Sequence, residues 1–525
     1  MTSPEQPQPA EWWRSAVFYE IYVRSFADSN GDGLGDLPGV RSRLTYLRKL
    51  GVDAIWLTPF YPTPDADHGY DVADYTDVDQ RFGTLGDFDA LVADAHELGL
   101  RIVVDIVPNH TSSEHPWFRN ALSRPDHPDR SRYVFRPGRD GSPPNNWPSV
   151  FGGRAWTLDE RSGEYYLHLF SPGQPDLDWH NETVRRDFER ILRFWLERGV
   201  DGFRIDVAHA LFKDAELRDE REPFHVTAFS SDWRAAIDQP EVHPLYRSWR
   251  TLADSFADER VLIGEVVFSD PRRIAQYVRA DELHLAFNFA LLFAPWDAAA
   301  MRAAVDATLA ALADVGATAT WVLENHDVTR LPTRYGGGRD GPRRARAAVL
   351  LLLALPGAAF LYAGQELGLE ECELEDEHRH DPIFVRTGGL RKGRDGCRVP
   401  LPWDEAAPAF GFTSGTSWLP MPASFGALSV AVQDADEASM LALYRAALAL
   451  RPELTGELGW RDSPDGSLVF ERGSVICAVN LDGDPLGLPG GEVLLVSEPL
   501  EEDRLPAGAA AWIRVSSGDV SADAR

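Results

Sequence analysis

The chain has 525 residues, of which 44% are hydrophobic and 26% charged, a composition typical of a globular protein of two to four domains. Its net charge of −30 gives an acidic surface that repels nucleic acid and anionic lipid, so we expect neither nucleic acid nor membrane as a partner. An acidic surface places no such restriction on a neutral substrate.

Short apolar segments rich in β-branched residues recur along most of the chain, with helix-like stretches between them. Eight strands that alternate with helices predict a parallel sheet, and eight is the number that closes a (β/α)8 TIM barrel. The predicted strands are residues 17–23, 52–57, 101–107, 202–207, 261–266, 283–289, 318–323 and 358–362. The predicted helices include residues 40–50, 87–98, 184–198 and 343–355, with a last barrel helix at 437–450.

Two long segments interrupt this alternation. Between the third strand and the next helix lies a stretch rich in Pro, Gly, Asn and Trp, which is too long for a plain loop and predicts a small inserted domain at 108–174. A second insertion, at about 366–425, follows strand eight. After residue 452 the pattern changes to short alternating strands, which predict an antiparallel C-terminal β domain at 456–516. The barrel then comprises residues 13–107 and 175–455.

The longest apolar run, residues 347–364, has nearly the length of a membrane span, but a Pro-Gly pair breaks it in the middle. We therefore predict a buried helix, a tight turn and a buried strand. The N-terminal residues lack the basic start and apolar stretch of a secretory signal. Together with the odd number of cysteines, this predicts a cytoplasmic protein with reduced Cys372, Cys397 and Cys477, a Cys372–Cys397 bridge being the alternative.

The loop after strand one carries oxygen-bearing residues at alternate positions. This spacing, with Gly33 at the sharp turn, is typical of the first part of a calcium-binding loop. The twelfth position is Gly39 rather than Glu, so the loop is not a complete EF-hand, and a set of oxygen ligands argues against zinc. An ordinary turn stabilised by Asp and Asn side chains is the alternative. The candidate ligands are the side chains of Asp28, Asn30, Asp32 and Asp36 and the backbone carbonyl of Leu34.

Polar side chains follow four of the predicted strands, at the barrel end where catalysis takes place. Strand three ends on the segment that contains Asp105, Asn109 and His110. Arg204 and Asp206 end strand four, Glu265 ends strand five, and residues 324–327, Glu-Asn-His-Asp, end strand seven. A single carboxylate at a strand end is commonly a helix cap or an ion-pair partner. Polar residues at four ends of one barrel favour a catalytic site instead.

Glycoside hydrolysis with retention needs one carboxylate that attacks the sugar and one carboxyl group that protonates the leaving oxygen. Arg204 and Asp206 lie two residues apart on a strand and share a face, so we expect the guanidinium to keep Asp206 ionised, as a nucleophile requires. Glu265 lies among apolar residues on the neighbouring strand. Such surroundings tend to raise a carboxyl pKa, which suits a proton donor.

The four segments resemble the four signature regions of the α-amylase superfamily, glycoside hydrolase family 13, and residues 174–179, Gln-Pro-Asp-Leu-Asp-Trp, resemble the fifth. The resemblance extends from about Trp13 to the C terminus, with the motifs in order on the expected strands. It implies that Asp206 is the nucleophile, Glu265 the acid/base and Asp327 the residue that stabilises the transition state. It also implies that three residues bind the glucose at the cleavage site: His110, Arg204 and His326.

Within that family the chain is most similar to the exo-acting α-glucosidase and oligo-1,6-glucosidase branch. The resemblance implies that Asp67 holds the 4- and 6-hydroxyl region of the terminal glucose, Tyr70 stacks on its ring, and Arg398 clamps the same sugar. Asp67 and Arg398 would together close the pocket, so that only a chain end enters. The resembling glucosidases hold one Ca²⁺ or Mg²⁺ at the loop of residues 28–36, so we expect a structural metal there.

The expected activity is hydrolysis of terminal non-reducing α-linked glucose from a small oligosaccharide or disaccharide by double displacement. Val207 accompanies α-1,6 cleavage in the resembling enzymes, but residues 208–211 depart from them, so the linkage stays open. The same site can instead transfer glucose to a sugar acceptor, as a transglucosylase or a sucrose/maltose isomerase. A non-catalytic partner subunit is disfavoured because all three carboxylates are kept. A metal-dependent hydrolase of another barrel family is disfavoured because the chain supplies no second ligand cluster.

Overall fold

The protein is described by a computed structural model over residues 11–220 and 235–515. In chain order, its strands are β1 (Val17–Ile21), β2 (Ala54–Leu57), β3 (Arg101–Ile106), β4 (Phe135–Pro137), β5 (Trp156–Asp159), β6 (Glu164–Leu167), β7 (Gly202–Ile205), β8 (Val261–Gly264), β9 (Leu285–Ala286), β10 (Thr320–Val322), β11 (Ala358–Tyr362), β12 (Gly459–Trp460), β13 (Ser467–Arg472), β14 (Val475–Asn480), β15 (Leu486–Gly487), β16 (Glu492–Val496), β17 (Arg504–Leu505) and β18 (Ala509–Arg514). Its α-helices are α1 (Leu37–Ser42), α2 (Leu44–Leu50), α3 (Leu85–Glu97), α4 (Pro116–Ser123), α5 (Glu182–Glu197), α6 (Val242–Asp254), α7 (Pro271–Ala275), α8 (Ala290–Phe293), α9 (Ala298–Ala313), α10 (Leu331–Arg334), α11 (Asp340–Ala354), α12 (Pro382–Arg386), α13 (Val430–Asp434) and α14 (Met440–Leu450).

Eight parallel strands form a nearly closed barrel, which confirms the predicted (β/α)8 architecture. Hydrogen-bonded neighbours follow the order β10, β11, β1, β2, β3, β7, β8 and β9. All eight predicted strands are present, and most are shorter than the apolar segments that predicted them. The difference is largest at β9, because the apolar residues that follow it continue towards the short helix α8 rather than extending the strand.

Aromatic side chains fill the barrel beneath its carboxyl end. The rings of Phe18 and Phe360 stack with centroids 4.5 Å apart, and those of Trp56 and Phe287 lie 5.6 Å apart. Trp56 also contacts the polar side chains at the carboxyl end of the barrel, since its Nε1 donates to Oδ2 of Asp105 at 3.2 Å. The packed interior therefore supports the side chains at the strand ends.

The long apolar run folds as a buried helix, a turn and a buried strand, as predicted. Helix α11 ends at Ala354, the turn contains Pro356 and Gly357, and β11 follows at once. Gly357 has a φ of 116°, and a Cβ atom there would lie 2.2 Å from the carbonyl oxygen of Ala319, so the turn requires glycine. Within the described residues, no helix is both long enough and apolar enough to span a bilayer.

Three antiparallel sheets lie outside the barrel among the described residues, the smallest being the pair of β15 and β17. Strands β4, β6 and β5 form one sheet between β3 and α5, where the sequence predicts an inserted domain. The C-terminal residues form a five-stranded sheet in the order β12, β13, β14, β18 and β16, which confirms the predicted antiparallel β architecture. This sheet is attached to the barrel through β18, since Nε1 of Trp512 donates to the carbonyl oxygen of Leu350 in α11 at 3.1 Å.

The three cysteines are buried and free, so the alternative Cys372–Cys397 bridge does not form. Cys397 instead lies against the backbone of the candidate site. Its Sγ is 3.2 Å from the carbonyl oxygen of His326 and 3.0 Å from that of Arg394. Burial raises the pKa of the Cys397 thiol well above its usual range, which keeps it protonated and unreactive.

Candidate active site

A cavity of about 530 Å³ lies at the carboxyl end of the barrel. The predicted carboxylates Asp206, Glu265 and Asp327 line it together. The other polar lining residues follow β2, β3, β7, β10 and β11, and are Asp67, Tyr70, His110, His209, His326, Arg391, Lys392 and Arg394. Apolar lining residues come from two regions. The inserted segment contributes Val150, Phe151, Leu169 and Phe170, and the segments that follow β7, β8 and β11 contribute Ile237, Val267 and Ile383, respectively.

Arg204 is the centre of a buried cluster of carboxylates. The sheet register pairs Arg204 of β7 with Asp105 of β3, and Asp206 lies two residues further along the same face. Nη1 of Arg204 donates to Oδ1 of Asp206 at 2.6 Å and to Oδ1 of Asp105 at 3.1 Å. Its Nη2 lies 2.9 Å from Oε2 of Glu265. One guanidinium therefore contacts both the predicted nucleophile and the predicted proton donor.

The backbone of Val207 provides a second donor to Glu265. Val207 has a φ of 46°, a left-handed conformation that is rare and strained for a β-branched residue. In this conformation its N–H donates to Oε2 of Glu265 at 3.0 Å. Strain next to Asp206 thus coincides with a hydrogen bond that orients the neighbouring carboxyl group.

Burial raises the pKa of Asp206 well above its usual range, and the charges of Glu265 and Asp105 add to this shift. The guanidinium of Arg204 acts in the opposite direction without overcoming it. Arg204 therefore opposes the effect of burial on Asp206 without cancelling it, and the expectation that this guanidinium keeps Asp206 ionised stays a prediction. Asp105, Asp206 and Glu265 thus share one guanidinium, so the positive charge of Arg204 is divided among three acidic side chains.

The pKa of Asp327 is shifted in the opposite direction from that of Asp206. Burial disfavours its charge, but His326 and the guanidinium groups of Arg394 and Arg398 more than compensate and hold the pKa of Asp327 far below its usual range. Oδ1 of Asp327 accepts hydrogen bonds from Nη1 of Arg394 at 2.9 Å and from Nη2 of Arg398 at 2.8 Å. A permanent negative charge thus borders the cavity and can stabilise a positive charge that develops on a bound sugar.

The structure differs from the sequence prediction at the arginine that pairs with Asp67. Arg398 is fully buried behind Asp327, where its Nε donates to the carbonyl oxygen of His326 at 2.9 Å. Arg394 borders the cavity instead, and its Nη2 donates to Oδ1 of Asp67 at 2.9 Å. The two arginines lie four residues apart in one irregular segment, so sequence alone did not distinguish the guanidinium that reaches Asp67.

Tyr70 and two histidines lie side by side in the cavity lining. The Tyr70 ring stacks on His326 with centroids 5.3 Å apart, and its hydroxyl donates to Oδ2 of Asp105 at 3.0 Å. Nδ1 of His326 contacts the carboxylate of Glu20, a residue that the sequence analysis missed. A carboxylate within the otherwise apolar strand β1 was the available signal. Nε2 of His110 lies 2.9 Å from the carbonyl oxygen of Tyr70, and burial lowers the pKa of His110 to about 4.

The predicted metal loop forms a series of tight turns after β1. Its donors are all oxygen atoms, which fits a hard divalent cation such as Ca²⁺ or Mg²⁺. The side-chain oxygens also accept hydrogen bonds from backbone N–H groups of the loop and of α1. Within the loop, Oδ1 of Asp28, Asn30 and Asp32 each accepts from the N–H two residues further on, at 2.9, 2.8 and 2.9 Å. Oδ1 of Asp36 accepts from the N–H of Gly39 in α1 at 2.6 Å. No cluster of three or more His, Cys, Asp or Glu side chains suited to a metal occurs in residues 11–220 or 235–515. The metal stays a prediction.

Known proteins resemble this chain over nearly its whole length. The family model described as "Alpha amylase, catalytic domain" matches residues 20–456. A probable alpha-glucosidase from Rhizobium meliloti (strain 1021) is 40% identical over 96% of this chain and 97% of its own. An oligo-1,6-glucosidase from Parageobacillus thermoglucosidasius is 37% identical over 84% of each chain. The crystal structure of an alpha-glucosyl transfer enzyme superposes with a TM-score of 0.87 at 41% identity, covering 96% of this chain and 99% of that one.

Proposed function

Because the chain belongs to the α-amylase family of glycoside hydrolases, we propose that it is an exo-acting, retaining α-glucosidase that removes terminal non-reducing α-linked glucose from short oligosaccharides. The observation that carries this proposal is the contact of Arg204 with both Asp206 and Glu265 at the edge of one cavity. Double displacement needs two carboxyl groups that are close to each other and share one proton.

In the first step of the proposed reaction, Asp206 attacks the anomeric carbon while Glu265 protonates the oxygen of the departing sugar. A covalent glucosyl–enzyme ester forms as the glycosidic bond breaks. In the second step, the Glu265 carboxylate takes a proton from water, and the resulting hydroxyl attacks the same carbon and frees Asp206. Arg204 and the N–H of Val207 stabilise the charge that appears on Glu265 between the steps. The ionised Asp327 stabilises the positive charge of both transition states.

Exo action is supported by the ion pairs at the Asp67 side of the cavity. Arg394 bridges Asp67 and Asp327, and the Asp67 side chain also accepts a hydrogen bond from Nε2 of Gln174 at 3.0 Å. We call these ion pairs, formed by Asp67, Arg394 and Asp327, the end wall. A further sugar unit cannot pass through the end wall without separating buried charges, which is costly. The hydroxyl groups of a terminal glucose can instead bond to the same charged groups.

The product profile on maltoheptaose tests this proposal. We expect the protein to release glucose one unit at a time, and early release of mid-length fragments would mean an open cleft and no exo action. Arg394→Ala removes the guanidinium of the end wall and is expected to lower kcat/KM on maltose by about 100-fold or more, because hydrogen bonds to charged groups contribute about 1.5–3 kcal/mol each. The exposed Arg124 provides the matched control, and Arg124→Ala should behave as wild type.

We also propose that loop 28–36 holds a structural Ca²⁺ or Mg²⁺, with Leu34 contributing its carbonyl oxygen. Removal of the ion by a chelator is expected to lower the Tm by about 5 °C or more while folded protein stays active. Differential scanning calorimetry with and without added metal measures this. Asp28→Ala should make the Tm insensitive to chelator. Equal Tm values of the wild-type protein in both conditions would show that the loop is only a series of turns.

Transfer of glucose to a sugar acceptor is the second candidate activity. It is favoured by the similarity to the alpha-glucosyl transfer enzyme and by apolar residues around the cavity, such as Phe151, Phe170 and Ile383, which limit the access of water. Product analysis with maltose separates the two activities, because hydrolysis yields glucose only, whereas transfer also yields longer or rearranged glucosides. The cysteines, all free and buried, are compatible with the cytoplasmic location that we propose.

A further inference from the structure

Lys213 is a buried ammonium group with no role in the mechanism above. Its side chain is 4% exposed, and its Nζ lies between three oxygen atoms. It donates to Oδ1 of Asn109 at 2.7 Å and to the carbonyl oxygen of Ala210 at 2.6 Å, and it lies 2.8 Å from Oδ2 of Asp176. Lys213 therefore connects the segment after β3, the segment after β7 and the end of the inserted segment, next to the cavity.

An ammonium group can only donate hydrogen bonds, so Lys213 determines which way the Asn109 amide faces. Its contact requires the oxygen of that amide, Oδ1. The amide nitrogen, Nδ2, then faces Nδ1 of His110 at a distance of 3.1 Å. Because an NH₂ group also only donates, Nδ1 of His110 must act as the acceptor and carry no proton.

A neutral imidazole has one proton, which in His110 must then be on Nε2. This atom lies 2.9 Å from the carbonyl oxygen of Tyr70, which can only accept a hydrogen bond. It also lies 3.1 Å from Nε2 of Gln174, an amide nitrogen whose protons have acceptors in Oδ2 of Asp67 at 3.0 Å and the Tyr70 carbonyl oxygen at 3.4 Å, so Gln174 does not require an unprotonated Nε2 in His110. His110 lines the cavity together with Asp206. Burial lowers the pKa of His110 to about 4, and the charge of Lys213 acts in the same direction, so the ring is neutral at neutral pH. In this neutral form Nε2–H donates to the carbonyl oxygen of Tyr70, which orients the ring within the cavity lining.

We propose that Lys213 is a positioning residue that fixes the tautomer of His110 through Asn109, so that Nε2–H donates to the carbonyl oxygen of Tyr70 and holds the two cavity residues together. Asp176 completes the chain of contacts, because it neutralises Lys213 and also accepts a hydrogen bond from the N–H of Leu169, a cavity residue, at 2.9 Å. The inference rests on the proposed function only in taking kcat/KM on maltose as the measure of its effect on the cavity.

The tautomer can be measured directly by ¹⁵N NMR of the histidine side chains in the full chain, with His110 assigned by the loss of its signals in His110→Gln. We expect Nε2 protonated and Nδ1 unprotonated in the wild type. Asn109→Asp keeps the shape of the site and a partner for Lys213, but it directs a carboxylate oxygen at Nδ1. This variant is expected to move the proton to Nδ1, or to add one there, and to lower kcat/KM on maltose about 10- to 100-fold.

Lys213→Met is expected to mix the two tautomers, and Lys213→Arg, which also only donates, is expected to retain the wild-type tautomer. If Lys213→Met does not fold, the His110 tautomer measured in Asn109→Asp tests the proposal by itself. A wild-type His110 protonated on Nδ1, an unchanged tautomer in Asn109→Asp, or a changed tautomer with intact kcat/KM would each overturn the proposal. The NMR result does not depend on the substrate, so failure of the glucosidase assignment would show separately as absence of turnover.

Discussion

Asp206→Asn is expected to lower kcat on maltose by ~10⁴-fold or more while the protein keeps its fold, because the amide has nearly the shape of the carboxylate but cannot attack the anomeric carbon. The substitution also removes one of three acidic groups around Arg204, so it relieves repulsion rather than breaking the cluster. Steady-state turnover and the Tm of the same preparation measure both effects.

The control for this variant is Asp314→Asn, an exposed position at the end of α9, which should leave kcat and Tm unchanged. Asp206→Ala provides a chemical check, because azide can enter the vacated space and attack from the same side as the missing carboxylate. The expected product is a β-glucosyl azide formed from an activated α-glucoside. Turnover of maltose at the wild-type rate by Asp206→Asn would show that another group is the nucleophile.

Glu265→Gln is expected to lose activity according to the acidity of the leaving group. Maltose, whose leaving alcohol needs a proton, should lose about 100- to 10,000-fold in kcat/KM. A 4-nitrophenyl α-glucoside, whose phenolate leaves without a proton, should retain its first step and show a burst of nitrophenol. The second step should be slow, because water no longer has a base, and azide should restore it with an α-glucosyl azide as product.

An equal loss on both substrates would remove Glu265 from the acid/base role and leave it as a structural partner of Arg204. The stereochemistry of the wild-type reaction is an independent check on the same pair. We expect the two carboxyl groups to lie roughly 5–5.5 Å apart, the spacing of retaining enzymes, and α-glucose to be the first product seen by NMR. Release of β-glucose first would contradict double displacement.

The barrel and the catalytic carboxylates could be predicted because both depend on local patterns. Apolar segments of strand length mark the sheet, and the carboxyl ends of parallel strands meet at one edge, so Asp206, Glu265 and Asp327 had to converge once the fold was known. Arg204 could be paired with Asp206 from their spacing alone. The length of β9 could not be predicted, because an apolar run does not show where a strand ends and a helix begins.

The remaining differences all concern residues whose roles depend on distant parts of the chain. Glu20 of β1 contacts His326, which follows β10 two strands away in the sheet, and Lys213 contacts Asn109 from another strand end. Neither contact has a sequence spacing to reveal it. The contact of Arg204 with Asp105 was missed for the same reason, since only the fold brings Asp105 to the guanidinium that also contacts Asp206. The left-handed backbone of Val207 is likewise imposed by surrounding structure against the preference of valine.

Because Arg394 belongs to the end wall and also contacts Asp327, a substitution at this position would change both the length of substrate that the cavity accepts and the stabilisation of the transition state. In the proposed end wall Arg394 separates the cavity from further sugar units, yet its guanidinium is also one of those that keep Asp327 ionised. A lineage that loses Arg394 to accept longer chains therefore weakens the stabilisation of its own transition state. Arg398, buried on the other side of Asp327, retains part of that electrostatic effect. Chain-length preference can thus evolve through Arg394 in single steps, provided that Arg398 is kept.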